Sequence, residues 1–452
     1  MNILLVRPKY ENLFFRINFI NVEPLELEYL YTILRKDGHN CEIYDGQVEK
    51  YELGKALRKH KPDIVAISGY VIVKNKMIDY SEIIKSYDPK IRVAVGGVHA
   101  ELNYSDFYVP TIDYIIHSGG YEPFRTLINN LERPELLSGI KGICYRISDG
   151  SWVCNEREMF CPKDLPVPDR SHFKKYKKQF KYLLYGSCAV VKSAYGCPHN
   201  CSFCYCCLLN GGDYLLRDME EVVEEISGID CDLIWIVDDT FTVDRKRVIK
   251  FVELIRAHGI RKRFIMYGRS DFISENEDII AELADVGVIS FIVGLEAVDN
   301  TRLDAYNKCA TVENNQRCVE ILHKYSIDCA GLFIIGTDAV KTDFDNLISW
   351  VGRMKLRFIT VSVFTPFPGT PIYEKYKGQL TTFDYDKWDL LHLVMKPGNM
   401  TERGFYFELY KLYAKVAFIN KGIGDFDFQY IRYILKLIKE FARRLIYESR
   451  EE

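Results

Sequence analysis

Three cysteines lie close together in the chain, at Cys197, Cys201 and Cys204, separated by three and then by two residues. This spacing allows one short loop to place thiolates on three irons of a [4Fe-4S] cluster. A complete ligand set contains four cysteines, so the fourth iron is left open for another molecule. Gly196 precedes the first cysteine, and Phe203 lies between the last two. The pattern predicts a cluster that binds a second ligand at its open iron.

Length, composition and charge restrict the class of protein. A chain of 452 residues with 48% apolar composition is long enough for about three domains with their own cores. The formal net charge of −3 argues against nucleic acid as a partner. No apolar run approaches the ~20 residues needed for a transmembrane segment.

The cysteine content and the start of the chain indicate the compartment. Fourteen cysteines in a chain that starts with a buried-strand pattern, rather than a signal peptide, fit free thiols and cluster ligands better than a disulfide scaffold. We therefore expect a cytoplasmic protein from a cell that keeps oxygen away from exposed clusters.

Residues 1–135 alternate short apolar strands with amphipathic helices. This alternation predicts a doubly wound, Rossmann-like α/β domain with a parallel sheet. Such sheets bind ligands at the carboxyl ends of their strands. Small residues occur at these ends, in the ranges 68–70, 96–99 and 118–120, and they allow the backbone to approach a bulky or phosphate-bearing ligand closely.

The rest of the chain divides into three further regions. Residues 136–184 are predicted to form a linker with a hairpin. Residues 185–375 resume the strand–helix alternation six times, which is fewer than the eight units of a closed barrel, so we expect a partial (β/α)6 barrel. Residues 376–452 are predicted to be mostly helical. A basic, amphipathic stripe at 431–446 favours a terminal helix docked on its own protein over one that lies on a membrane surface or docks on a partner.

The cysteine motif, Cys-x3-Cys-x2-Cys with an aromatic residue before the third cysteine, resembles the signature of the radical S-adenosylmethionine (SAM) enzymes. The resemblance implies that the open iron binds the amino and carboxylate groups of SAM. It also implies that an electron from the cluster cleaves SAM to a 5′-deoxyadenosyl radical. By the same resemblance, five side chains of the barrel region would contact SAM: Phe203, Asp238, Asp239, Arg269 and Glu296.

The amino-terminal region is similar to the cobalamin-binding domain of the B12-dependent radical SAM enzymes. The matching stretches are 24–30, 95–100 and 113–119, and the likeness extends with the barrel over roughly 1–375. It implies that cobalamin contacts Pro24, Leu25, Glu26, Ser68, Gly69, Tyr70, Gly96, Gly97, Val98, His99 and Gly119.

Histidine ligation of cobalt is not expected. Asp37, Gly38 and His39 start like a cobalt-binding motif, but the glycine that the motif requires is replaced by Glu42. We interpret Gly38 as a helix cap in the left-handed conformation and His39 as a loop residue.

The resemblance implies a cobalamin-dependent radical SAM methyltransferase that methylates an unactivated carbon through a 5′-deoxyadenosyl radical and methylcobalamin. Two alternatives remain open: a cobalamin-dependent cyclisation or rearrangement without methyl transfer, and a cobalamin-binding sensor or storage module. We expect ferredoxin or flavodoxin as the electron donor. The substrate is left open as a small molecule, a lipid or a protein side chain.

Overall fold

The computed structural model describes residues 1–10 and 20–419, together with Lys439. Its strands are β1 (Asn2–Arg7), β2 (Ile20–Asn21), β3 (Asn40–Asp45), β4 (Ile64–Ser68), β5 (Arg92–Gly96), β6 (Tyr114–Ile116), β7 (Ile143–Arg146), β8 (Trp152–Cys154), β9 (Lys181–Tyr182), β10 (Ala189–Val191), β11 (Ala194–Tyr195), β12 (Leu215–Leu216), β13 (Leu233–Ile236), β14 (Arg263–Gly268), β15 (Val288–Glu296), β16 (Asp328–Ile335) and β17 (Phe358–Val363).

The α-helices alternate with these strands through most of the chain. They span Leu25–Lys36, Leu53–His60, Lys74–Tyr87, Val98–Leu102, Tyr121–Asn129, Ser171–Tyr176, Met219–Gly228, Arg245–Ala257, Ser270–Glu275, Glu277–Asp285, Asn300–Ala305, Val312–Lys324, Lys341–Arg353, Pro371–Tyr376 and Glu402–Ile419.

The first sheet has seven strands in the order β3-β1-β4-β5-β6-β7-β8, and its first five strands are parallel. The parallel strands are apolar because helices cover both faces; β1, for example, buries Ile3, Leu4, Leu5 and Val6 almost completely. The predicted doubly wound domain is therefore confirmed.

The hairpin of β7 and β8 extends this sheet at the β6 edge in the antiparallel direction. It belongs structurally to the first sheet, although the sequence assigned it to a linker. Cys144 and Cys154 are opposite each other in this hairpin and form a disulfide. The expectation of free thiols is therefore wrong for this pair, because the predicted hairpin places the two cysteines opposite each other on neighbouring strands.

The second sheet is the predicted partial barrel. Its six strands run in the order β10-β13-β14-β15-β16-β17, and all neighbouring pairs are parallel. The carboxyl ends of parallel strands meet at one edge, so the loops after β10, β13, β14 and β15 are brought together there. The partial (β/α)6 fold is confirmed.

A buried ion network joins the two sheets behind the loop that follows β10. Arg170 donates from Nη1 to Glu23 Oε1 and from Nη2 to Glu225 Oε1, each at 2.7 Å. Its Nη2 also donates to the carbonyl oxygen of Val190 at 2.9 Å. Glu23 in turn accepts the Val190 backbone N–H at 2.7 Å. The amino-terminal domain thus holds strand β10 directly.

The helix Glu402–Ile419 packs on the helix Lys341–Arg353, with the rings of Phe405 and Phe344 5.5 Å apart. The Tyr413 hydroxyl fixes the same helix to β17 through the carbonyl of Val361 at 3.0 Å. The stripe at 431–446, for which we expected a docked helix, lies outside the described residues. In the part of the chain that is described, every helix is too short or too polar to cross a bilayer.

Replacement of Arg170 by alanine should destabilise the folded protein. Arg170 is 8% exposed, and its removal leaves the Glu23 carboxylate buried without a cation. Breaking a buried pair from one side costs about 3–5 kcal/mol. We expect a loss of that size in the free energy of unfolding, measured by urea denaturation of the full chain.

The matched control is Arg256→Ala, which removes only exposed pairs to Glu282 and Asp285. Its urea transition should stay close to that of the wild type because exposed ion pairs contribute little. Equal stability of the two variants would contradict a structural role for the network.

Candidate functional site

One cavity of about 870 Å³ lies between the carboxyl ends of the two sheets. Most residues singled out from the sequence line it. From the barrel region they are Cys197, Cys201, Cys204, Phe203, Asp238, Asp239, Arg269 and Glu296; from the first domain they are Leu25, Glu26, Ser68, Gly69, Tyr70, Gly96, Gly97 and Val98. The residues that were expected at a cluster, at SAM and at cobalamin therefore share one space.

The cysteine loop needs a glycine at its start. Gly196 has a φ of +78°, and a Cβ atom there would lie 2.4 Å from the carbonyl oxygen of Asp213. Any side chain would therefore both strain the backbone and collide with it. Further along the loop, Ser202 donates its N–H to Tyr306 O at 3.0 Å and accepts the Ile372 N–H at 3.2 Å. These contacts hold the loop against the barrel rim.

The three cysteines suit a cluster that brings its own positive charge. Burial raises the pKa of the Cys197 thiol to about 11 and also raises that of Cys201, whereas a hydrogen bond with Cys206 lowers the pKa of Cys204. Thiolates at Cys197 and Cys201 are therefore favoured only beside cations, such as iron. Arg269 is one such cation, since its Nη1 lies 3.9 Å from Cys201 Sγ.

Within residues 1–10 and 20–419, no three His, Cys, Asp or Glu side chains surround a point as closely as a single metal ion requires. A four-iron cluster spreads its ligands over separate corners of a cube, which is the wider arrangement that a loop of three spaced cysteines can provide.

Asp238 fixes the start of the cysteine loop through hydrogen bonds. Its Oδ1 accepts the backbone N–H groups of Ser193 at 2.6 Å and Ala194 at 3.0 Å, and its Oδ2 accepts the Ser193 hydroxyl. Burial raises its pKa, while these hydrogen bonds oppose the shift. The side chain that was expected to contact SAM is thus engaged by the protein itself, which makes Asp238 a positioning residue. Its neighbour Asp239 is more open to the cavity, with Oδ2 3.8 Å from Lys192 Nζ.

Glu296 occupies an unusual backbone position at the end of β15. It has a φ of +59°, and the register of β15 against β16 shifts between Gly294 and Glu296. The shift turns the carboxylate towards Lys308, whose Nζ lies 2.8 Å from Glu296 Oε1. A Cβ atom at Gly294 would lie 2.3 Å from that carboxylate oxygen, so only glycine leaves room for the pair.

Lys308 was missed by the sequence analysis. Burial alone would lower its pKa, but the Glu296 carboxylate more than compensates, so the pKa is raised and the amine stays charged. It lies twelve residues after its partner, on a loop beyond the helix Asn300–Ala305. No local pattern marks such a position, because only the return of the chain to the barrel rim brings the two together.

Arg269 is held by its own surroundings. Its Nη2 donates to Asp271 Oδ2 and to the carbonyl of Lys308, both at 2.7 Å. Burial opposes its charge, but Asp271 more than compensates, so its pKa is raised. The guanidinium is thereby fixed with one nitrogen directed at Cys201, which provides positive charge beside the cysteines.

The strand ends of the first domain suit a bulky ligand. Gly97 has a φ of +95°, and a Cβ atom there would lie 2.8 Å from the backbone N and O of Gly69. The two glycine-bearing loops can therefore approach each other closely. An apolar groove continues from this point between the helix Leu25–Lys36 and the sheet, lined by Leu27, Leu30, Ala66, Ala94, Ile116 and Phe124. This combination fits cobalamin, which has a wide ring and a nucleotide tail.

Three of the expected cobalamin contacts lie outside this cavity, namely Pro24, Gly119 and His99. Pro24 caps the helix Leu25–Lys36, and Gly119 packs towards Glu158, whose Cβ would be 2.9 Å from an added Cβ. The His99 ring is buried, with Nε2 2.8 Å from Asp106 Oδ2. Residues on both sides of Pro24 and of Gly119 line the cavity, and His99 lines a smaller cavity that adjoins it.

His39 also lies away from the cavity. Its Nε2 is 2.9 Å from Asn129 Oδ1, and Gly38 before it has a φ of +84°. The interpretation of Gly38 as a left-handed helix cap is confirmed.

An aromatic group at the cavity wall was also not anticipated. Tyr29 and Tyr121 of the first domain meet edge to face with centroids 5.5 Å apart, and Tyr195 from the start of the cysteine loop lines the same wall. Arg217 Nη1 donates to the Tyr29 hydroxyl at 3.1 Å. Tyr29 falls in the stretch 24–30 that carried the resemblance, which was the available signal.

Comparison with known protein families matches two parts of the chain. Residues 21–128 match the B12 binding domain, and residues 191–351 match the radical SAM superfamily. The prediction of cobalamin, SAM and a [4Fe-4S] cluster as cofactors is confirmed at the level of the domains that bind them.

Two relatives and one solved structure show how far the likeness extends. The chain is 27% identical to a hopanoid C-3 methylase of Methylococcus capsulatus, over 87% of this chain and 76% of that protein. It is 23% identical to an anaerobic magnesium-protoporphyrin IX monomethyl ester cyclase of Rubrivivax gelatinosus, over 98% and 82%.

The fold is similar to that of the radical SAM methyltransferase TsrM from Kitasatospora setae, with a TM-score of 0.72, 16% identity and 99% of both chains covered. With its B12 binding domain placed before a radical SAM domain, the chain belongs to the cobalamin-dependent radical SAM enzymes.

Proposed function

We propose that the protein is a C-methyltransferase that methylates an unactivated carbon of its substrate. The observation that carries this proposal is the single cavity of about 870 Å³ into which both domains direct their ligand-binding edges. A methyl donor and a hydrogen-abstracting radical have to reach the same carbon, so their sites must share a space. The hopanoid C-3 methylase, at 27% identity, supports the same reaction class.

Within the proposal, Cys197, Cys201 and Cys204 hold the cluster, while cobalamin lies on the glycine-bearing strand ends of the first domain. When bound, the cluster supplies the electron that cleaves SAM, and cobalamin supplies the methyl group. The protein then has to bind and orient the reactants rather than act as an acid or base.

The charged residues of the barrel rim are suited to holding SAM. SAM carries an amino group, a carboxylate and ribose hydroxyls. We assign the hydroxyls to Glu296, the amino group to Asp239 and a supporting positive charge to Arg269. Two of these side chains are already held by the fold, Glu296 by Lys308 and Arg269 by Asp271, so they need little reorganisation on binding.

The apolar wall of the cavity keeps water away from the reaction. Trp235 and Ile292 contribute to it from the barrel strands, and Phe364 and Phe367 from the segment after β17. A carbon radical reacts with whatever it touches, so a site lined by stable side chains protects it until the substrate is modified.

The second candidate function is cyclisation or rearrangement without methyl transfer. It is favoured by the cyclase of Rubrivivax gelatinosus, which the chain matches over 98% of its length. The same cofactors and the same cavity serve both reactions, so the fate of the methyl group decides between them. For either reaction we propose ferredoxin or flavodoxin as the electron donor.

The substitution Cys201→Ala tests the proposed cluster. It removes one of three ligands, and we expect anaerobically reconstituted protein to lose most of its iron and its cleavage of SAM to 5′-deoxyadenosine. The measurements are iron content, visible absorption and chromatography of the nucleoside. Cys161→Ala is the control because Cys161 is exposed and free, and it should retain wild-type iron. Full iron content and SAM cleavage in Cys201→Ala would exclude the assigned ligand set.

The methyl assignment can be tested with SAM labelled in its methyl group. Wild-type holoprotein with hydroxocobalamin and a reductant is incubated anaerobically with an extract of the source cells, beside the Cys201→Ala variant. We expect a product that carries one labelled methyl in the wild-type sample alone, detected by mass spectrometry. An unlabelled product that has lost hydrogen, accompanied by 5′-deoxyadenosine, would instead support the cyclase reaction.

The substitution Lys308→Met tests how Glu296 is held. Without the amine, the buried carboxylate lacks its cation and is expected to become protonated or to turn away. Binding of SAM to the cluster-loaded protein should weaken about tenfold, as measured by equilibrium dialysis, while iron content stays unchanged. Lys324→Met, which removes an exposed pair with Glu277, should bind SAM normally. Wild-type affinity in Lys308→Met would refute the positioning role.

A further inference from the structure

A second, smaller cavity of about 250 Å³ adjoins the first. We call it the annexe. It lies between the segment after β4, the helix Val98–Leu102 and the segment after β17. Its lining residues are Tyr10, Tyr70, Val71, Ile72, Val98, His99, Leu102, Asn103, Tyr205, Thr360, Ser362, Phe367, Pro368, Trp388, Asp389, Leu390 and Leu391.

The annexe shares part of its wall with the main cavity. Tyr70 and Val98 from the first domain, Tyr205 from the cysteine loop, and Ser362 and Phe367 from the barrel end line both spaces. Tyr205 follows the third cysteine directly. A molecule whose reacting carbon lies in the main cavity would reach the annexe by crossing this shared wall.

The charged groups of the annexe are already engaged within the protein. Among its described lining residues only His99 and Asp389 can carry a charge. His99 is 2.8 Å from Asp106, and Asp389 Oδ1 accepts the backbone N–H groups of Leu391 and His392 and lies 2.8 Å from His392 Nδ1.

The remaining walls are mainly aliphatic and aromatic, with an amide at Asn103 and hydroxyls at Thr360, Ser362, Tyr10, Tyr70 and Tyr205. Trp388 is fully buried, and its Nε1 donates to no atom of the described chain. Such a space favours hydrocarbon and disfavours a carboxylate, phosphate or ammonium group, since an unpaired charge there would be desolvated without compensation.

The first domain offers cobalamin a separate apolar groove. This groove is lined by Leu27, Leu30, Ala66, Ala94, Ile116 and Phe124. None of these six residues borders the annexe. Of the residues expected at cobalamin, Tyr70, Val98 and His99 border the annexe, and the rest of its wall is available to the substrate.

We propose that the annexe binds an uncharged, hydrocarbon-rich portion of the substrate, so that the substrate is an apolar small molecule rather than a charged metabolite or a protein side chain. This inference rests on the proposed function, because it assumes that a substrate carbon is modified in the main cavity.

The probes for the test are 1-aminoanthracene, which is neutral at pH 7, and anthracene-1-carboxylate, which has the same ring system with a negative charge. Equilibrium dialysis is performed with cobalamin-loaded, full-length protein. We expect the wild type to bind the amine, and to bind the carboxylate at least about tenfold more weakly.

Two variants fill the annexe from different sides, Leu102→Trp and Val71→Trp, so the test does not depend on the folding of one of them. Each should weaken binding of the amine about tenfold while cobalamin content remains that of the wild type. Ile83→Trp is the matched control, because Ile83 is 43% exposed on the outer face of the helix Lys74–Tyr87.

Equal binding of the amine by the wild type and both filled variants overturns the proposal, as does carboxylate binding as tight as that of the amine. Loss of cobalamin from both filled variants also overturns it, since the annexe would then hold the cofactor. The methyl-label experiment is independent of these measurements. Absence of a labelled product would reject the methyltransferase assignment while leaving the dialysis result unchanged.

Discussion

The buried contact of Arg170 with Glu23, Glu225 and the backbone of Val190 is the constraint on which the site depends. It joins a carboxylate of the amino-terminal domain to the strand that leads into the cysteine loop. A site divided between two domains works only if their edges keep a fixed separation. Separating the partners would leave buried charges unpaired, which is costly, so this network opposes relative movement of the two sheets.

The charged residues at the rim of the barrel are also held by partners within the protein. Asp238, Arg269, Glu296 and Lys308 are all buried, and each is bound by another part of the protein. Hydrogen-bonded partners are what make buried charges tolerable. A consequence is that the polar groups around the cysteines are set in place by the fold before any ligand binds. The annexe differs in kind, because its charged side chains are turned to their own neighbours and its remaining surface is apolar.

Much of the fold follows from local pattern. Apolar strands such as Ile3–Val6 and the six barrel strands were recognisable because parallel strands are buried on both faces. The cysteine loop was recognisable because its ligands are close in sequence. Residues that act through partners elsewhere in the chain could not be recognised from the sequence. Lys308 meets Glu296 only because the chain returns to the rim, and His99 turns to Asp106 although it follows a strand end that lines the cavity.

The sequence by itself determined the order of the domains, the parallel sheets and the cluster motif, since these depend on periodicity and on spacing within a few residues. Only the tertiary structure decided that Asp238 supports the cysteine loop as well as lining the cavity, that the hairpin of β7 and β8 extends the first sheet, and that a second cavity lies beside the first. These features depend on which side chains meet across tens or hundreds of residues. Burial then determines the interactions of these side chains, because a polar group removed from water is stable only when the fold supplies a hydrogen-bonding or charged partner.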